Sequence, residues 1–369
     1  MNGVEIAGEP TYAESQGEPG AARCPVEFSA ERDAWLVRDR EVARAVLSDG
    51  TAFSISGYDA FTDELTGINH FLLASPSNHR RLRRAMARMF SRAAVQELSD
   101  NTLRPLADEF AARLACRHDF DILADYVRPY CTRAIFAVIG INPAEGSELV
   151  AAFRVAHQLM SDNSDGLASN AAGKILWAQL VELCGRSSSH PGSILKRNET
   201  LQLALEPLDL ACFAMSLVEA AAVKLDRDLT ASVVRDVLSA GAVVQRRLVE
   251  QASFELAVRE SLRLQGFGML PRRATAGARL LDRSFGAGET LYVVLKDVGT
   301  DSQVYNEPET FDPWRPERAG SVTFGVGSHR CVGEAIAIAI GVAACEALFA
   351  RGCLKVTGGA TGSLVTWTS

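Results

Sequence analysis

The chain has 369 residues, 47% hydrophobic and 22% charged, with 29 glycines and 13 prolines, so it can bury a sizeable core and is not a largely disordered polymer. A formal charge of -7 argues against a general nucleic-acid or anionic-membrane binder. The eight cysteines are scattered and include no CxxC pair, which fits reduced intracellular thiols better than a disulfide framework or a zinc site.

Residues 1–30 are polar and rich in Gly, Glu and Ala, and read as a flexible leader. They contain no apolar core, so neither a signal peptide nor a membrane anchor is expected, and the expected location is cytoplasmic. After Asp33 the pattern becomes structured. AWLVRD (34–39) reads as a short strand, and REVARAVLSDG (40–50) as a helix stopped by Gly50. Helical patterns follow at 79–98, 101–116, 126–140, 146–161, 172–184, 206–225, 230–240 and 243–264. Strand-like text is sparse, at 278–281 and 290–295 and weakly near 353–356 and 364–367.

Two apolar runs, Leu208–Leu225 and Ala335–Ala350, carry internal Glu and are marginal or short for a membrane span of about 20 residues. They read as helices buried in a large fold. No linker or internal repeat divides the chain. The expectation is a mainly α fold with a small β component, as a single domain over 31–369.

Residues 324–333 read Phe-Gly-Val-Gly-Ser-His-Arg-Cys-Val-Gly and lead directly into the apolar stretch 334–350. The glycines permit a tight loop with close backbone approach. A cysteine just before a helix has its thiolate form favoured by the helix N-terminus. Such a segment would also suit a Gly-rich turn with a small core cysteine. The complete set of fixed positions, Phe-Gly-x-Gly-x-His-x-Cys-x-Gly, resembles the haem-binding signature of the cytochrome P450 family.

That resemblance implies a triangular, α-rich P450 fold and haem b (iron protoporphyrin IX) as cofactor. It makes Cys331 the axial thiolate and metal ligand, Phe324 the ring packed beside it, His329 a donor to a haem propionate, and Gly333 the close of the signature. An anionic sulfur ligand pushes electron density onto iron and favours O–O cleavage, which is why the ligand must be Cys.

Other segments extend the resemblance. Glu260-Ser-Leu-Arg263 places a Glu and an Arg on one helix face; alone it is an ordinary ion pair. The family has Glu-x-x-Arg at this distance before the cysteine loop, and an Arg in Phe-Asp-Pro-Trp-Arg315-Pro supplies its third member. A buried Glu260–Arg263–Arg315 network would be structural, with Arg able to make forked contacts. His79-Arg-Arg-Leu-Arg83 resembles the family's His-x-x-x-Arg, which faces a propionate, because a spacing of four shares one face. The adjacent Arg80, Arg81, Arg84 and Arg88 fit a solvated basic stripe, and offer a docking patch for a small acidic electron-transfer protein. Arg273 aligns with a further propionate-binding Arg, with Arg272 beside it.

The pattern departs from the family over the central helix. There an acid and a Thr usually help deliver protons, whereas this chain has Glu219 followed by Ala220 at the Thr position. Glu219 suits either a proton relay or a buried structural Glu with a partner. The segment after Cys331 is short and lacks the family's long C-terminal hairpin, which implies a more open pocket and suits a large or carrier-tethered substrate.

The implied function is a haem-thiolate monooxygenase of specialised metabolism. It would oxidise a small molecule with dioxygen and electrons from a ferredoxin or flavodoxin and its reductase, without nucleic acid or membrane partners. Ala220 favours an alternative in oxidative cyclisation or coupling, peroxide-driven or redox-neutral chemistry. A third reading is a haem-free helper homologue, against which the retained Cys331, His79, Arg83, Arg273 and His329 argue.

Overall fold

Helices carry most of the chain, and local chemistry sets many of their ends. The structure, a computed structural model, describes residues 24–58, 76–161, 166–186, 188, 190–219, 229–266, 268–316, 321–358 and 363–368. Its helices are α1 (Arg40–Ser48), α2 (Pro76–Met89), α3 (Arg92–Leu98), α4 (Arg104–Leu114), α5 (Arg128–Ile139), α6 (Pro143–Ser161) and α7 (Gly166–Cys184). They continue as α8 (Ile194–Thr200), α9 (Pro207–Glu219), α10 (Thr230–Ser239), α11 (Gly241–Glu250), α12 (Phe254–Gln265), α13 (Leu295–Gly299) and α14 (Glu334–Phe349).

Asp39 caps α1 by accepting the Val42 N–H at 2.9 Å. Prolines sit in the first turns of α4 and α5, where a missing N–H costs nothing. The helix expected over 79–98 breaks at Phe90–Ser91, because the Ser91 hydroxyl accepts the Ala94 N–H and starts α3. The pattern at 243–264 divides into α11 and α12 at Gln251–Ser253, where Ala252 takes φ 47°. The described part of the helix expected over 206–225 is α9; residues 220–228 lie outside the described residues.

The strands form a five-stranded sheet in the order β1 (Val26–Ser29), β2 (Ala34–Val37), β8 (Thr290–Val294), β5 (Met269–Ala274), β3 (Phe53–Ser54). Only β2 and β8 run parallel in it. A second sheet orders β4 (Asp119–Asp121), β10 (Leu364–Thr368) and β9 (Cys353–Gly358), and β6 (Arg279–Leu280) pairs with β7 (Arg283–Ser284). β1 falls inside the stretch read as leader, so regular structure begins before residue 30; residues 1–23 lie outside the described residues. The C-terminal segment does make an antiparallel hairpin, β9 with β10, but a short one that packs its second strand on β4.

α14 is apolar nearly all round and buries Ile336, Ile338, Ile340, Ala344, Cys345 and Phe349, which makes it a core helix. Tyr126 and Tyr130 donate their hydroxyls to the Ala344 and Ile340 carbonyls at 2.8 and 3.1 Å, so these buried phenols are satisfied. α12 packs on α14 with the Phe254 and Phe349 rings stacked at 5.7 Å. These contacts hold the middle and C-terminal end of α14, and the cysteine loop leads into its start. Among the described residues, no single helix is long and apolar enough to cross a membrane.

Candidate active site at the Cys331 loop

Gly325 and Gly327 adopt φ of 73° and 75°, the left-handed region in which a side chain is strained. A Cβ on Gly327 would also stand 3.1 Å from the Leu47 carbonyl oxygen and the Ser48 Cα, so α1 abuts the loop there. The Cys331 N–H donates to the Phe324 carbonyl at 2.8 Å and closes the loop into a fixed turn ahead of α14. Phe324 is half-buried against the main core. Arg330 forks onto Glu334 at 2.8 and 2.9 Å, bracing the turn across the cysteine.

Burial pushes the Cys331 thiol above its ordinary pKa; the Gly333 N–H, Arg83 and the Glu334 N–H pull the other way, and the Glu334 carboxylate adds to the rise. The helix N-terminus therefore favours the thiolate as expected, but desolvation outweighs it. A coordinated cation reverses that balance, because a metal-bound thiol is deprotonated outright. Cys331 is exposed as a residue, although protein surrounds its sulfur closely enough to raise its pKa.

Beside this loop the structure gathers four basic side chains from three elements. His79 on α2 stacks on His329 with ring centroids 4.3 Å apart and planes 26° apart. Burial, then Arg83 and Arg80, holds His79 below its ordinary pKa. Burial, then His79, Arg272 and Arg83, lowers His329 to about 4. Arg83 is half-buried, lowered by burial, and feels Cys331. The electrostatic neighbours that move these histidines are one another's cations. The His329 Nδ1 atom is buried with no hydrogen-bond partner among the described residues.

The register on β5 differs from the expectation. Successive strand residues face opposite sides, and it is Arg272 that is buried and acts on His329, while Arg273 is exposed. Alternation along a strand would have shown this, but a Pro-Arg-Arg segment does not announce itself as one. Arg272→Leu is expected to accelerate haem loss to an acceptor protein roughly tenfold, the worth of a charge-assisted hydrogen bond, and Arg273→Leu to leave it within about twofold. Equal effects would return the role to Arg273.

The network behind the loop is present and complete. Arg263 forks onto Glu260 at 2.9 and 2.8 Å, and Arg315 Nε donates to the same carboxylate at 2.8 Å. The Asp312 N–H adds a bond at 3.1 Å. The remaining guanidinium N–H groups reach the carbonyls of Asn306, Gly299, Pro308 and Thr310. All three side chains are buried. Burial raises the Glu260 carboxyl, but the bonds from Arg263, Arg315 and Asp312 outweigh it and hold the group below its ordinary value. Thr323 donates its hydroxyl to the Leu262 carbonyl at 3.2 Å, which ties the entry of the cysteine loop to the helix carrying the network. Glu219 ends α9, and its side chain and Ala220 lie outside the described residues.

A thiol ahead of a helix, flanked by two arginines and two histidines able to donate to two carboxylates, is the donor set of a haem-thiolate protein; the residues present fit haem b. Residues 253–349 match the Cytochrome P450 family model. Cytochrome P450 107B1 of Saccharopolyspora erythraea is 25% identical over 275 residues, covering 73% of this chain and 66% of the relative. The mycinamicin VIII C21 methyl hydroxylase of Micromonospora griseorubida is 28% identical over 321 residues, covering 82% of this chain and 79% of the relative. In fold, the chain is similar to cytochrome P450 260B1 of Sorangium cellulosum So Ce56, with a TM-score of 0.78 and 23% identity over 90% of this chain and 85% of that one. The chain is thus similar to the cytochrome P450 family, oxidoreductases whose cofactor is haem, in its 253–349 segment and in its fold.

Proposed function

We propose that this chain is a cytoplasmic haem-thiolate monooxygenase of specialised metabolism that oxidises a small molecule, free or carrier-tethered, with electrons from an acidic ferredoxin and its reductase. The observation that carries the reading is the Cys331 thiol set in a closed loop beside the His79, Arg83, Arg272 and His329 cluster. When bound, haem supplies dioxygen activation, which a thiolate ligand favours. In this proposal Cys331 would ligate the haem iron, the four basic side chains would hold the propionates, and Gly333 would close the loop beside the sulfur, where a Cβ would be in ordinary contact at 3.8 Å. Glu219 handles protons, with ordered water or substrate standing in for the hydroxyl that Ala220 lacks. The hydroxylase named among the relatives supports the specialised-metabolism assignment.

Reduction of the protein under carbon monoxide tests the proposal: a thiolate-type band supports it, and well-folded protein without haem defeats it. NADH consumption with surrogate redox partners, set against hydrogen peroxide, then separates the dioxygen and peroxide routes.

Arg80, Arg84 and Arg88 are exposed on α2, whereas Arg81 is engaged by Asp209 and leaves the docking patch; Arg80 and Arg84 are the pair that tests it. Reversing both to Glu is expected to slow reduction by an acidic ferredoxin roughly tenfold at low ionic strength, through lost steering. The difference should fade at high salt, where the Debye length is about 3 Å. An unchanged low-salt rate would remove the patch from the reading.

A further inference from the structure

α2 carries His79 and Arg83 toward the cysteine loop, and something must fix its rotation. At roughly 100° per residue, Arg81 projects about 180° away from the mean direction of His79 and Arg83. The structure occupies that opposite side. Arg81 Nη1 and Nη2 fork onto Asp209 at 2.9 and 2.6 Å, and Nε and Nη2 also donate to Asn78 one turn back at 3.0 and 2.8 Å. Asp209 lies in the first turn of α9, where the helix dipole favours a carboxylate, and also accepts the Glu206 N–H at 3.3 Å. Its side chain is 15% exposed, so the pair is anchored on one well-shielded partner.

α2 is thus gripped from two sides. On the front, His79 stacks on His329 of the cysteine loop. On the rear, Arg81 is clamped to the helix that ends at Glu219. Asn78 holds the guanidinium in the plane that meets Asp209, so the fork is preorganised.

We propose that the Arg81–Asp209 fork is a rear clamp that sets the rotation of α2 and so aims His79 and Arg83 at the haem propionates. Arg81 and Asp209 are positioning residues, acting through α2. The proposal rests on the haem reading for what is aimed, but not for the clamp itself.

The test uses the purified holoprotein as Arg81→Gln, Asp209→Asn and the exchanged pair Arg81→Asp with Asp209→Arg. Two quantities are read: hydrogen exchange of the α2 amides, and haem transfer to an excess of an apo-globin acceptor. Each single variant is expected to raise both rates roughly two- to fivefold, the range open to an ion pair of this exposure. The exchanged pair should recover most of the loss, which a merely structural substitution effect would not do. Wild-type amide exchange in both single variants, or an exchanged pair no better than either, would overturn the clamp. A wild-type protein lacking the thiolate-type carbon-monoxide band defeats the haem reading instead, and leaves the amide measurement to decide on the clamp.

Discussion

Cys331→Ser is expected to abolish the thiolate-type carbon-monoxide band while leaving a folded chain. The residue is exposed, and the loop is closed by backbone groups, the Cys331 N–H to the Phe324 carbonyl and the Arg330 N–H to the Gly327 carbonyl, which serine retains. Serine is nearly isosteric with cysteine and the residue is exposed, so the change in unfolding free energy of the haem-free chain should stay within about 0.5 kcal/mol. The spectroscopic change should be near total, because a hydroxyl cannot supply the anionic sulfur that defines the ligand. Dithionite reduction under carbon monoxide and thermal melting, run on the same preparations, read both quantities. A variant that keeps the wild-type band would mean that another residue holds the iron. Cys131, Cys184 and Cys345 make poor substitutes, because they are buried in the main core.

Much of this site was legible because its chemistry is contiguous in sequence. Phe324 to Gly333 is a single loop, and fixed spacing within it survives folding unchanged. His79 and Arg83 were readable for a related reason, since a spacing of four shares a face on any helix. Arg272 and Arg273 were not separable in this way. Their assignment depends on β5 pairing with β8 and β3, contacts between segments far apart in the chain. Arg81 shows the same limit in sharper form: its neighbours marked it as part of a solvated stripe, and only the arrival of Asp209 from α9 reveals an ion pair.

The helices followed the same division. Hydrophobic periodicity located them, but their ends depend on groups that periodicity does not weigh, such as the Ser91 hydroxyl and the left-handed Ala252. β1 escaped notice because four residues in a polar context carry little pattern, and its strand character comes from pairing with β2. β4 is shorter still and exists as a partner of β10. Long local signals therefore gave the α-rich architecture and strands β2, β6, β8, β9 and β10, whereas β1, β3, β4, β5 and β7 became visible only through pairing.

Removing Glu260 is expected to produce the largest loss of stability of any single change near the site. Glu260→Ala leaves Arg263 and Arg315 buried without their carboxylate, and breaking a buried ion pair from one side costs about 3–5 kcal/mol. Gln should resemble Ala more than wild type, because it turns an amide donor toward guanidinium donors. Haem occupancy should fall as well, since α12 is tied to the cysteine loop through Thr323 and to residues 306–315 through Arg263 and the Glu260–Arg315 bond. The folded-state pKa of Glu260 lies below its ordinary value. Its stabilisation is therefore complete above the unfolded-state carboxyl pKa and is lost as pH falls through the lower, folded-state value. Denaturant unfolding of wild type and Glu260→Ala at neutral pH should differ by the full amount, and the two curves should converge on acidification. A difference below about 1 kcal/mol at neutral pH, or one that does not shrink in acid, would show that the arginines find other partners and that the network does not brace the loop.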